Sequence, residues 1–378
     1  MKRKKKIMLS GIFAVVVLAA VSVTMLLRPK KKVDSAQQFH VVILDSEEYY
    51  YSDEGIERGI RLALEDLEKE NGIKIQIELL DDGGDYVNGI SMAKALAEDD
   101  TVDAVISFQN FESIGAEVEF FETEKKPFIV TMGCYDEVAE NGYQYLLTDF
   151  LSGKTIGKRI GQYLEENGRK NIALCHSDTT FEKDEIRGLQ EAIQNHERIS
   201  IFHSQTGPFD DSGLAQLLVK CERLQIDTLV ANFYSQTDSA WLLSQIRQKN
   251  PDMTLIGDYA LDSSEILEEY GEQLEGVMIV PVYPYQESDG MTEFIHRYES
   301  ATSAKFSTAA VQYYDLFQML GKAYDECKDS SAKMMDWLKN ENGYEGVAGT
   351  ISFDKNGRLV SDSCPVFICK NKKFVRVG

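Results

Sequence analysis

The chain has 378 residues, 43% of them hydrophobic, and a formal net charge of −22 at pH 7, enough material for two lobes that each bury a core. The charge is unevenly placed: residues 1–32 hold nine Lys and Arg and no acid, leaving 31 basic against 62 acidic side chains in the rest, a net of −31. Nucleic acid and anionic lipid repel such a body, so a nucleic-acid partner is excluded and a solvated acidic surface is the ordinary reading.

Lys2 to Lys6 form a basic cluster, Ile7–Leu27 is an uncharged run of 21 residues, and Arg28-Pro29-Lys30-Lys31-Lys32 closes it. The run is long enough to cross a hydrocarbon core of roughly 30 Å. It is also longer than the apolar core of most cleavable signals, and no small-residue cleavage site is evident. No cysteine precedes Cys134, so a lipid-modified cysteine just behind the run is excluded. Residues 1–38 therefore read as a cytoplasmic basic tip, a transmembrane signal anchor and a tether. The stronger N-terminal cluster favours the tip inside, and the body is expected outside the cell membrane.

The body opens on a short apolar strand over 41–44. Ile56, Ile60, Ala63, Leu64 and Leu67 follow at helical spacing, with Ser52 as cap, Asp53 and Glu54 in the first turn and Asn71-Gly72 as terminator. A strand over 73–80 and a turn at Asp81-Asp82-Gly83-Gly84 complete a unit that implies parallel strands with a right-handed crossover. The unit repeats: helix 87–97, strand 102–106, helix 114–123, strand 128–131, and a short turn at 138–140. Near Gly142 to Thr148 the chain crosses to a second lobe. There helices over 152–167, 182–195, 211–224, 239–249 and 263–270 alternate with strands over 172–175, 199–204, 228–231, 254–256 and 276–280. Pro281-Val282-Tyr283-Pro284 reads as the return crossing.

A long helix over 309–327 carries the stripe Tyr313, Phe317, Leu320 and Tyr324, read as lobe core, and a last helix covers 333–339. Gly349 opens a strand that runs into Asn356-Gly357, and residues 366–369 are expected to pair back as a hairpin. The fold class is α/β: two lobes of parallel sheet flanked by helices, 39–147 with 283–340 in the first and 148–282 with 341–378 in the second.

Six cysteines occur, none in a C-x-x-C pair or at zinc spacing. Cys364 and Cys369 are near enough in sequence to invite a bridge, whereas Cys175 reads as a buried small hydrophobe. No G-x-G-x-x-G follows the first strand, and no Gly-rich loop ends in Gly-Lys-Ser/Thr. There is no G-x-S-x-G elbow and no H-E-x-x-H, and the consecutive His176-Ser177-Asp178 cannot form a triad. No catalytic residue, metal or cofactor is expected. Ligands of open α/β sheets bind beyond the carboxyl ends of the strands. The informative positions are therefore 45–51, 107–113, 132–135, 176–181, 232–235 and 257–259. They are rich in Tyr, Phe, Ser, Thr and Asn, which suits a small organic ligand.

These segments together resemble the periplasmic branched-chain amino-acid-binding proteins of ABC transporters. The likeness runs over nearly all of 39–378. It rests on the order tyrosines–helix–Asn71-Gly72–strand–Asp81-Asp82, on Val105-Ile106 before a polar loop, and on Gly142-Tyr143-Gln144 with Gly157. Ile172-Ala173 with Phe181, Asp227 with Tyr234, and Gly346 to Gly357 with Gly349, Phe353 and Asp354 continue it. The resemblance implies a Venus-flytrap of the type I class, with two lobes, three crossings and a ligand closed between them.

For a ligand carboxylate it implies the positions Asn110, Phe111 and Ser113, with Gly133, Cys134 and Tyr135, although Glu112 would repel an anion there. For a ligand ammonium it implies Asp258, displaced by one position because Tyr259 stands where the family has its acid. Asp258 reads alternatively as a loop acid. Phe181 replaces a tyrosine wall, Tyr234 matches outright, and Tyr51 matches within one residue. A small polar or aromatic ligand other than an α-amino acid fits the same positions. The expected function is extracytoplasmic capture of an amino acid or related compound for an ABC permease. The alternative is a sensory ectodomain signalling through a membrane partner.

Overall fold

The structure is a computed structural model, and it describes residues 38–51, 54–108, 113–132, 136–194, 199–207, 209–233, 235–302, 306–328, 330–340, 342–361 and 364–377. The expected anchor over 7–27, the expected cap Ser52 and the first-turn acid Asp53 lie outside the described residues. Among the described residues no helix is long and apolar enough to cross a membrane. The body, Phe39–Gly378, forms one compact unit.

The first lobe runs β1 (Phe39–Asp45), α1 (Glu47–Tyr50), α2 (Glu54–Asn71), β2 (Ile75–Asp81), α3 (Tyr86–Ala97), β3 (Ala104–Ser107), α4 (Ile114–Glu124), β4 (Phe128–Val130), α5 (Asp136–Glu140) and β5 (Leu146–Thr148). Its five strands lie in the order β2-β1-β3-β4-β5, all parallel. Every residue of β1 is buried, as its unbroken apolar run requires of a central strand covered on both faces. The stripe Ile56, Ile60, Ala63 and Leu67 is the buried face of α2. The segment at 138–140, expected as a turn, belongs to the five-residue helix α5.

The second lobe follows with α6 (Gly153–Glu166), β6 (Asn171–His176), α7 (Thr180–Ile193), β7 (Ser200–Thr206), α8 (Asp211–Arg223), β8 (Thr228–Asn232), α9 (Gln236–Lys249), β9 (Thr254–Gly257), α10 (Ser264–Tyr270) and β10 (Met278–Ile279). Side-chain caps start its helices: Ser152 for α6, Asp210 for α8, Ser235 for α9 and Ser263 for α10. Along β6, Ile172 and Leu174 enter one core and Ala173 and Cys175 the other, the alternation of a strand between two helical layers. Helix α7 lies almost backbone to backbone on α6. A Cβ on Gly157 would collide with the carbonyl oxygen of Glu185, and one on Gly188 with that of Lys154.

The chain then returns through α11 (Asp289–Thr302), α12 (Thr308–Cys327) and α13 (Ser331–Leu338), and ends in β11 (Tyr344–Gly346), β12 (Gly349–Phe353), β13 (Leu359–Val360), β14 (Phe367–Lys370) and β15 (Lys373–Arg376). The second large sheet has the order β15-β14-β10-β9-β8-β6-β7. The expected hairpin between β12 and the strand over 366–369 is not formed. Instead β12 pairs with β11 and β13, and β14 pairs with β10 and β15, all antiparallel. The Asn356-Gly357 turn does reverse the chain, but β14 completes the open edge that β10 leaves on the large sheet. No bridge joins Cys364 and Cys369, which are both free thiols.

Three passages of chain link the two sheets, and they are tied to one another. Leu151 N–H donates to the Val282 carbonyl at 2.6 Å, and Thr148 N–H to that of Gly357 at 2.7 Å. From α12, the Gln312 amide donates to the Asp149 carbonyl at 2.6 Å, and the Asp315 carboxylate accepts from Val347 N–H and Ala348 N–H at 2.8 Å each. Asp149 and Tyr283 are buried at this junction, and neither the Asp149 carboxyl oxygens nor the Tyr283 hydroxyl finds a hydrogen-bond partner.

Candidate functional site: the cleft ends of the two sheets

Parallel register sets the strand ends side by side. Leu44 pairs with Ser107 and Ser107 with Val130 in the first sheet. In the second, His176 pairs with Asn232, and Ala231 with Gly257. The residues just beyond these pairs form two facing edges.

On the first edge, Asp45 is a fastener: its carboxylate accepts from Ser46 N–H at 2.6 Å and from Phe108 N–H at 2.8 Å, joining the ends of β1 and β3. Rings cover it. Tyr50 stacks on Phe108 at 5.9 Å, Tyr51 meets Tyr50 edge-on at 4.9 Å, and Tyr313 meets Phe108 edge-on at 5.1 Å. The Tyr313 hydroxyl shares a 2.7 Å hydrogen bond with Thr131. On the second edge, Phe181 opens α7 and lies edge-on to Tyr259, 6.2 Å between centroids. The Tyr259 hydroxyl donates to the Met132 sulfur at 3.0 Å, so the end of β9 touches the end of β4 across the cleft.

Behind Phe181 and Tyr259 lie Glu182 and Glu185 of α7, Asp258 after β9 and Asn232 at the end of β8, all buried. Asp258 caps the 3-10 turn Tyr259–Leu261, accepting from Ala260 N–H at 2.7 Å. Burial pushes the Asp258 carboxyl up to about 7, opposed by the Ala260 N–H and reinforced by the charge of Glu182. Burial likewise raises Glu182, and it raises Glu185 well above the usual range, helped by the charges of Asp258 and Glu182. In the first lobe Glu117, in the first turn of α4, is buried beside Ser113. Burial lifts its carboxyl to about 7, Ser113 opposes the shift, and Asp82 and Asp45 add to it. Among the described residues no three His, Cys, Asp or Glu are placed to hold a metal ion.

A family model described as periplasmic binding protein matches residues 41–372. The chain belongs to the periplasmic binding protein family. No curated protein matches the sequence. Among solved structures, this periplasmic binding protein is similar to an ABC transporter substrate-binding protein from Desulfitobacterium hafniense in complex with Leu, at 17% identity and a TM-score of 0.78, covering 90% of this chain and 100% of that one. A solute-binding protein from R. palustris in complex with benzoate has 17% identity and a TM-score of 0.75, covering 90% and 96%. A branched-chain amino acid transporter substrate-binding protein from Streptococcus pneumoniae in complex with isoleucine has 18% identity and a TM-score of 0.71, covering 90% and 100%. The fold is the two-lobed type I periplasmic binding fold.

Of the positions singled out in the sequence, Asn110, Phe111, Gly133, Cys134, Tyr135 and Tyr234 lie outside the described residues. The binding protein brings Phe181, Asp258 and Tyr259 together on the second-lobe edge. It sets Tyr51, 56% exposed, at the outer end of the ring stack on the first. Ser113 is fully buried, does not cap α4 with its side chain, and lies against the Glu117 carboxyl. Sequence reasoning missed Glu182 and Glu185. Their three-residue spacing just after Thr180-Phe181 was the available signal, but an acid in a first turn, as Glu182 is, is an ordinary helix-dipole partner.

Proposed function

We propose that the protein is a solute-binding protein that closes its two lobes on a small organic molecule and releases it unchanged. The observation that carries this is the Tyr259–Met132 contact, which joins the carboxyl ends of strands from the two sheets beside the Phe181 ring. Ligands of open α/β folds bind at such strand ends, and an aromatic wall with a few buried polar groups is the usual lining of a small-molecule site. The solved relatives that hold leucine, isoleucine or benzoate support an amino acid or a related compound as the solute. Delivery to an ABC permease, from a body held outside the cell by the apolar run at 7–27, completes the reading.

A thermal-shift screen of the full-length chain against amino acids, amides, amines and aromatic acids tests it. A ligand at about 100 times its Kd adds roughly 2.7 kcal/mol of stability. Phe181→Ala and Tyr259→Ala are each expected to abolish most of that gain; an unchanged shift in both variants discards this site.

A further inference from the structure

We propose that the cleft selects an organic cation, an amine or guanidine carrying net positive charge, over zwitterionic or anionic solutes. This rests on the solute-binding reading and names its substrate class.

Three buried carboxyl groups lie near enough to feel one another's charge, where one would serve a single ligand ammonium. Glu182 and Glu185 come from the start of α7, and Asp258 from the end of β9. All three are buried, and among the described residues no Lys, Arg or His forms an ion pair with any of them. Asp184, between the two glutamates, shows the contrast: it pairs with Arg187 at 3.0 Å. The Gly157 and Gly188 contacts with α6 pin α7, so the glutamates cannot swing outward with their helix.

An independent feature points the same way. Asn232, 2% exposed at the end of β8, has neither amide atom in a hydrogen bond. It lies beside Glu185, near enough to favour that carboxylate, yet outside hydrogen-bond geometry. Glu182 Oε2 is also buried without a partner. A buried amide and buried carboxylates left unmatched are costly, and the cost is removed by a ligand that brings N–H donors and positive charge. A carboxylate ligand would add a further negative charge instead. In the first lobe, Glu117 occupies the first turn of α4, where an anion would otherwise be welcome. No Lys or Arg stands among the described strand-end positions of either lobe. The Phe181 and Tyr259 rings flank the acids in sequence and in space, and aromatic faces attract organic cations.

The test is calorimetry on the full-length chain with five probes: 1,4-diaminobutane, agmatine, leucinamide, leucine and benzoate. The expected result is that at least one cation binds tenfold or more tightly than leucine, with benzoate weakest. Glu182→Gln and Glu185→Gln should each weaken that cation at least tenfold without lowering the unliganded Tm. Should Glu185→Gln fail to fold, Glu182→Gln gives the same reading alone. Leucine or benzoate binding as tightly as every cation, or cation affinity unchanged in the folded variants, overturns the cation class and leaves solute capture standing. Binding of none of the five overturns both.

Discussion

Gly157 carries a hydrogen where any other residue would set a carbon against the Glu185 carbonyl, and the position of α7 depends on it. Backbone cannot yield as a flexible side chain does, so Gly157→Ala is expected to cost at least about 2 kcal/mol in urea denaturation. It should also weaken ligand binding, because α7 carries Phe181, Glu182 and Glu185. At this scale the sequence was partly legible. Asp258 and Tyr259 stand directly after an apolar strand and Phe181 at the start of the helix that follows another, and parallel register brings such residues to one edge. Glu182 and Glu185 were not legible, because helical spacing shows that they share a face but not that the face turns inward. The cap made by Asp258 was also hidden, since its donor is the N–H two residues on and a loop acid in any conformation has that option.

Among the elements, the alternation of strand and helix through both lobes followed from apolar periodicity and from terminators such as Asn71-Gly72. The last strands did not. Asn356-Gly357 reads as a hairpin turn, and local chemistry cannot tell which later strand it will serve. The choice is made by the open edge of β10 (Met278–Ile279), far back in the chain from the turn at Asn356-Gly357. The tight turn actually used for β14–β15 is Asn371-Lys372, both at positive φ (51° and 59°), without a glycine to announce it. Two left-handed residues match the twist of a two-residue hairpin, but a lysine there is strained. Lys372→Gly is expected to stabilise the chain by about 1 kcal/mol in the same denaturation assay, the exposed ion pair of Lys372 with Glu272 being a minor loss.

Across the whole molecule, buried acids set the response to pH. Glu117, Asp258 and Asp315 titrate near 7, and burial pushes Asp149 and Glu185 well above the usual carboxylate range. Their surroundings explain the direction. Asp315 faces the Val347 and Ala348 amides and Lys322, which oppose burial without overcoming it; Asp149 faces Asp315; the Glu117 and Asp258 sets are described above. In the unfolded chain these groups titrate near 4. The folded state therefore binds the extra protons between about pH 4 and 7, and the stability they confer, complete below the lower value, is lost as pH rises toward the upper one. Exposed pairs such as Asp178–Lys183 act in the opposite sense but weakly. The unliganded chain is expected to melt about 2 °C or more higher at pH 5 than at pH 7.5 in calorimetry. A flat or reversed profile would show that these carboxyls are ionised and paired in solution.

The ties among the three linking passages also limit how the halves can travel. Leu151 is bonded to Val282, Thr148 to Gly357, and α12 grips the first and third passages through Gln312 and Asp315. Joined in this way they make a spine, and the halves on either side behave as the covers of a book. Swinging is cheap because it leaves those bonds intact, whereas sliding one cover along the other would break them together. A swing about this spine opens the side opposite it widest, and a solute captured as proposed would pass through that side.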